Sequence, residues 1–148
     1  MAKFTRDIEI DASMETVWSV LNNPKTWPHW FPGVDAVSEV RGRGQGMTFY
    51  WQDDNEQGSG RVVEAEPNER LEISTQLGDD EDLHIFELKP DRRIFGLGKS
   101  GRTDVRYTLD TLSGGGILGR FISAGNPLDM RRVKSAMDRL KDYIEDQT

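Results

Sequence analysis

Apolar positions alternate at the start of the chain: Phe4, Ile8 and Ile10 are separated by Thr, Arg, Asp and Glu, the period of a strand with one buried face. The period then lengthens. Asp11 or Ser13 offers a capping oxygen, and Met14, Val17, Trp18 and Leu21 follow at helical spacing, which predicts a short helix with one apolar stripe. Asn22-Asn23-Pro24 ends it, and Pro24 suits the first position of a second short helical turn carrying Trp27, Trp30 and Phe31 before Pro32-Gly33.

From residue 34 to 112 the pattern becomes short alternating runs divided by turn residues, as in an antiparallel sheet. Strands are predicted over 35–41, 46–52, 59–66, 70–77, 82–89 and 102–111. Residues 90–97 fit either a strand extension or a packed loop, because Pro90 cannot donate to a ladder while Ile94, Phe95 and Leu97 are apolar. Beyond Leu112, Ser113-Gly114-Gly115-Gly116 reads as a flexible joint and 117–124 as a helical turn. Asn126-Pro127 then opens a long amphipathic helix with the stripe Met130, Val133, Met137, Leu140 and Ile144, running to about Glu145. These elements predict an α+β fold: a curved antiparallel sheet of about seven strands wrapped around the long C-terminal helix, with two short helices after strand 1, as one domain over 1–148. A sheet curled around a helix leaves a gap where the two diverge, and that gap is the natural ligand site.

Composition narrows the classes of function. Leu, Ile, Val and Phe make up about 23% of the chain, just above the level of roughly 20% below which disorder is the default, so the core has to be placed economically. There is no cysteine, which excludes disulfides, thiol nucleophiles and thiolate metal sites. With 19 Lys and Arg against 26 Asp and Glu the formal net charge is -7, the wrong sign for a nucleic-acid partner or an anionic membrane surface. No run is long and apolar enough for a membrane span and no signal-type segment opens the chain, so the expectation is a cytoplasmic protein.

Strand parity nominates the interior. Ile73, Thr75 and Leu77 alternate with Glu72, Ser74 and Gln76; Phe86 and Leu88 bracket Glu87; Val105, Tyr107 and Leu109 alternate with charged or polar residues; Met47, Phe49 and Trp51 outweigh Thr48, Tyr50 and Gln52. By this parity His84 points inward beside Phe86, although Leu83 and Ile85 pull the other way. An inward imidazole could act as a general base or orient a ligand, with Tyr107 as its donor partner, or it could simply be a hydrogen-bonded wall residue. Trp18, Trp27, Trp30 and Phe31 fall close together. Trp18 and Phe49 read as core, whereas Trp27, Trp30 and Phe31 fit either core packing or a lid over a pocket. Other patterns fail on their context. Gly98-Lys99-Ser100 precedes a strand and lacks the earlier glycine of a phosphate loop, Gly42-Arg43-Gly44-Gln45-Gly46 also precedes a strand, and Asp79-Asp80-Glu81-Asp82 lacks the spacing of a calcium loop.

The element order, the segment from Val17 to Val34 (Val-Trp-Ser-Val-Leu-Asn-Asn-Pro-Lys-Thr-Trp-Pro-His-Trp-Phe-Pro-Gly-Val), the turn Glu66-Pro67-Asn68-Glu69-Arg70-Leu71 and the Gly-rich approach to the last helix together resemble the START-like (SRPBCC) superfamily, and within it the polyketide cyclase/dehydrase and lipid-transport branch. The resemblance spans essentially the whole chain and implies the helix-grip fold. It specifies function poorly, since the superfamily hosts lipid carriers, cyclases, hormone receptors, ubiquinone-binding proteins and chaperone co-regulators. In such proteins the segment holding Trp27, Trp30 and Phe31 lies over the cavity entrance. The leading expectation is a container for a hydrophobic or amphipathic small molecule, whether lipid, isoprenoid or polyketide-like. Phe49, Trp51, Ile73, Thr75, His84, Phe86 and Tyr107 would line it from the sheet, and Phe121, Met130, Val133 and Met137 from the helical side. One alternative is a cyclase or dehydratase using His84 or Tyr107 as acid or base in the same pocket. Another is a protein-interaction accessory module acting through its surface. No metal or cofactor is expected, and the oligomeric state stays open.

Overall fold

The computed structural model describes residues 2–53, 56–90, 101–111 and 127–146. The chain runs β1 (Ala2–Ile10), α1 (Met14–Leu21), a single 3-10 turn (Pro24–Thr26), α2 (Trp27–Trp30), β2 (Ala36–Arg41), β3 (Thr48–Gln52), β4 (Gln57–Glu66), β5 (Arg70–Leu77), β6 (Asp80–Pro90), β7 (Thr103–Thr111) and α3 (Pro127–Glu145). All seven strands join one antiparallel sheet in the order β1-β7-β6-β5-β4-β3-β2, and this is the α+β architecture the sequence predicts.

That order decides what happens to the aromatic segment. β1 and β2 are the two edges of the sheet, so the chain between them has to travel across it. Local signals shape the crossing. Ser13 caps α1 by accepting from the Thr16 amide, and Asn23 accepts from Lys25 at the start of the 3-10 turn. The Thr26 hydroxyl donates to the Val20 carbonyl at 2.8 Å and accepts the Trp30 indole N–H at 3.1 Å, tying the two short helices into one unit. α2 packs on α3, α3 lies along β1 and β7, and the 3-10 turn and α2 touch β2.

The core lies between the inner sheet face and these helices. Phe49, Val62, Leu71, Ile73, Phe86, Val105, Tyr107 and Leu109 are buried from the sheet, and Val133, Ala136, Met137, Leu140 and Ile144 from α3. The outer face carries charge. Arg70 is gripped by Glu64, Glu72 and Glu87 at 3.1, 2.7 and 3.0 Å, and its bond to Glu72 leads the contacts that raise its pKa further. Arg106 makes a two-pronged contact with Asp7 at 2.7 and 3.2 Å, which holds the Asp7 carboxyl below its ordinary value.

Several boundaries differ from the sequence expectation, for local reasons. β6 begins at Asp80, two residues before the predicted 82, because Gly78 takes a φ of +62° and closes a two-residue hairpin with Asp79. The acidic stretch Asp79 to Asp82 is therefore largely strand. β3 begins at Thr48, not at 46, because Gly42, Gly44 and Gly46 all adopt positive φ in the preceding turn. β2 carries a bulge between Ser38 and Arg41 where Glu39 sits at φ +46°. Pro90 is the last residue of β6. The expectations for 91–97, for the glycine joint at 113–116, for the helical turn at 117–124, for Phe121 and for the Met130 side chain lie outside the described residues.

Candidate functional site

β5, β6 and β7 are neighbours, and their alternation sends Thr75, His84 and Tyr107 to the inner face. His84 is 1% exposed and Tyr107 likewise 1%. The imidazole is held at both nitrogens: Nε2 lies 2.8 Å from Thr75 Oγ1 and Nδ1 lies 2.7 Å from Tyr107 Oη. The line of hydrogen bonds runs obliquely. Directly opposite His84 stand Ile73 on β5 and Leu109 on β7, so each hydroxyl reaches it from two residues along its own strand.

This polar line is enclosed by rings. Phe31 meets His84 edge-on with centroids 5.2 Å apart, Trp27 meets it edge-on at 5.9 Å, and Phe86 stacks on Tyr107 at 4.6 Å. Trp27 stacks on Phe31 at 4.7 Å and meets Trp30 and Phe49 edge-on. Trp27, Trp30 and Phe31 are thus core residues seated on the sheet, and they present no exposed apolar patch. Among the described residues only Tyr50 and Val63 are large exposed hydrophobics. Trp18, expected in the core, packs against its margin. His29 is exposed and stacks on Tyr143 of α3 at 5.1 Å, bridging α2 to that helix.

The structure therefore brings together Trp27, Trp30, Phe31, Phe49, Thr75, His84, Phe86 and Tyr107. Val133 and Met137 belong to the same core from α3. Ile73 is fully buried beside His84, whereas Trp51 sits at the rim with its indole N–H donating to the Ser59 carbonyl at 3.1 Å. Sequence parity missed Leu71 and Val62, both buried on the same face, although the same alternation contains them. It found Tyr107 as a partner for His84 but not Thr75.

The chemistry open to this arrangement follows from proton counting. A neutral imidazole donates from one nitrogen and accepts at the other, and each hydroxyl carries one proton. Three protons serve two hydrogen bonds, so one hydroxyl proton always remains at the Thr75 or the Tyr107 end, according to tautomer. Both ring nitrogens being engaged, a proton could reach His84 only by way of those hydroxyls. One further donor lies in the same interior: the Trp27 indole N–H is buried and has no hydrogen-bond partner. Among the described residues no group of three or more His, Asp or Glu side chains is placed to hold a metal ion, and no helix is long and apolar enough to cross a membrane.

With this geometry in view, the chain is similar to several solved structures. A protein from Rhodobacter sphaeroides is 20% identical with a TM-score of 0.68, covering 99% of this chain and 94% of that one. Protein MLL2253 from Mesorhizobium loti is 17% identical with a TM-score of 0.72, covering 99% and 98%. DynU16, from the dynemicin biosynthetic locus, is 16% identical with a TM-score of 0.69, covering 98% of this chain and 48% of that one. At these identities the likeness is one of fold. No curated protein matches in sequence. The family model for polyketide cyclase / dehydrase and lipid transport matches residues 1–145. A match over nearly the full length means that the chain belongs to the polyketide cyclase/dehydrase and lipid transport family.

Proposed function

We propose that the protein encloses a hydrophobic or amphipathic small molecule between the inner sheet face and α3, and that Thr75, His84 and Tyr107 orient its polar end. The observation that carries this reading is the hydrogen-bonded line Thr75–His84–Tyr107, buried among aromatic rings on the face that the helices cover. Apolar walls with a few convergent polar groups are the composition of a small-molecule site. The same groups would be a needless expense of desolvation in a core that only had to pack. Transfer of apolar ligand surface out of water supplies the affinity, at about 25 cal/mol per Å², and the polar line supplies orientation. The family description, polyketide cyclase / dehydrase and lipid transport, fits a polyketide-like or lipid ligand.

An acid–base enzyme is the weaker reading because both nitrogens of His84 are already engaged. A surface interaction module is weaker still, since Trp27, Trp30 and Phe31 are buried. Native mass spectrometry of gently purified protein tests the container directly. A bound apolar molecule that is released on unfolding is the expected result. Protein that stays empty after extraction from cells, and takes up no isoprenoid or aromatic polyketide on titration, refutes the reading.

A further inference from the structure

Trp27 occupies an unusual chemical position. Its side chain is fully buried, yet its indole N–H has no acceptor. The comparison within the molecule is direct: Trp30 donates to Thr26 Oγ1 and Trp51 to the Ser59 carbonyl, each at 3.1 Å. Leaving a buried donor unmet shifts the folding equilibrium unfavourably by roughly an order of magnitude. Packing does not require that donor. Trp27 contributes a flat ring stacked on Phe31 and edge contacts to Trp30 and Phe49, which a hydrocarbon ring also makes.

Resting on the container reading, we propose that the Trp27 indole N–H is a ligand-binding donor, and that the enclosed molecule carries a neutral carbonyl or ether oxygen that meets it. Indole can donate but not accept, so a pure hydrocarbon leaves it unmet. Among the described residues four rings pack on Trp27; Trp30, Phe31 and Phe49 carry no charge, and the fourth, His84, has a neutral hydroxyl at each ring nitrogen. A neutral oxygen fits these apolar surroundings better than a carboxylate, whose charge is costly to take out of water. Position supports a shared ligand. Trp27 lies between Phe49 on β3 and His84 on β6, with ring centroids 5.5 and 5.9 Å away, so a molecule reaching the polar line passes beside the indole. The substrate class that results is an oxygenated, predominantly apolar compound such as an aromatic ketone.

A matched pair of probes tests this: 2-acetylnaphthalene, which has a carbonyl, and 2-ethylnaphthalene, which has nearly the same shape without one. The wild-type chain should bind the ketone about tenfold more tightly than the hydrocarbon, the effect of one good hydrogen bond. Trp27→Phe should abolish that preference, so that the two probes bind within about threefold of each other. In wild-type protein labelled with nitrogen-15, the indole N–H resonance that disappears in Trp27→Phe should shift with the ketone and not with the hydrocarbon. This second readout needs no folded variant at ligand saturation. Equal binding of both probes, or a ketone preference that survives Trp27→Phe, overturns the role of Trp27 and leaves the container standing. Failure of wild-type protein to bind either probe overturns this proposal, and the container reading falls with it only where protein purified from cells is also empty by native mass spectrometry.

Discussion

Thr75, His84 and Tyr107 form the one buried stretch of side-chain hydrogen bonding that crosses three strands among the described residues, and its members stand or fall together. Tyr107→Phe keeps the ring that stacks on Phe86 at 4.6 Å but removes the hydroxyl facing His84 Nδ1. Thr75→Val does the same to Nε2 with almost no change of shape. Each change should lower unfolding free energy by about 1–3 kcal/mol, the cost of leaving a buried polar atom without its partner. Urea denaturation measures it, and the double variant should lose less than the sum because both hydroxyls serve one imidazole. Fully additive losses would show that the two contacts are independent. Parity made the inward direction of all three residues legible in the sequence. The Thr75 contact was not legible, because it is diagonal: the residue opposite His84 on β5 is Ile73, and strand register cannot be read from a period of two. The unmet N–H of Trp27 was equally invisible, since it depends on which oxygens the fold fails to supply.

Among the elements, β4 is shaped by what it lacks. Gly58 and Gly60 stand opposite Trp51 and Phe49 on β3, and those two rings lie flat across the glycines. A Cβ at Gly60 would stand 2.3 Å from the Phe49 ring, and one at Gly58 2.3 Å from Trp51. Gly60→Ala must therefore push Phe49 out of its place against Trp27, and should cost about 1–3 kcal/mol in denaturation, as overpacking does. An unchanged midpoint would mean that the ring moves aside freely. α3 makes the complementary case for electrostatics. Lys141 donates to the Glu9 carbonyl at 2.8 Å and to Glu145 at 2.6 Å, and Glu145 also accepts the Asp11 amide at 2.8 Å, so the end of the helix is clamped to the end of β1. Burial pushes the Glu145 carboxyl up, but the Lys141 and Asp11 bonds and the charges of Lys141 and Arg102 outweigh it, leaving the group below the ordinary 4.5. A carboxyl that binds its proton less readily when folded contributes stability that is complete above the unfolded pKa. That contribution disappears as pH falls through the folded value. Stability should decline between about pH 5 and pH 3, and Glu145→Gln should flatten that decline while lowering stability at neutral pH. Parallel pH profiles for the two proteins would contradict the clamp. Helical period read the end of α3 correctly from its stripe. The long-range partners of its polar residues depend on β1 lying alongside, and no local pattern encodes that.

At the scale of the whole molecule, topology explains why a chain with few aliphatic residues gathers so many aromatics in one short segment. The connection from one sheet edge to the other must cross the inner face, and whatever it carries becomes core. Trp27, Trp30 and Phe31 therefore occupy the interior, the core placement of the two that their pattern allows. If the protein is the container proposed above, plug and ligand compete for the same place. A molecule entering beside His84 must displace part of the aromatic packing or find it already displaced. Phe31 is the residue that decides this, because it touches Trp27, His84 and Tyr107 at once. Phe31→Ala should lower unfolding free energy by about 3–5 kcal/mol, the usual consequence of emptying a buried aromatic site. By the same change it should strengthen binding of 2-ethylnaphthalene, roughly fivefold or more, because the void replaces a ring that the probe otherwise has to move. The two effects have opposite signs, which separates them from general loosening of the fold. Loosening would weaken defined binding along with stability, and calorimetry would show the stoichiometry fall below one site. If the variant is destabilised but binds the probe no better than the parent, the ligand does not share the space of Phe31 and lies elsewhere between the sheet and α3.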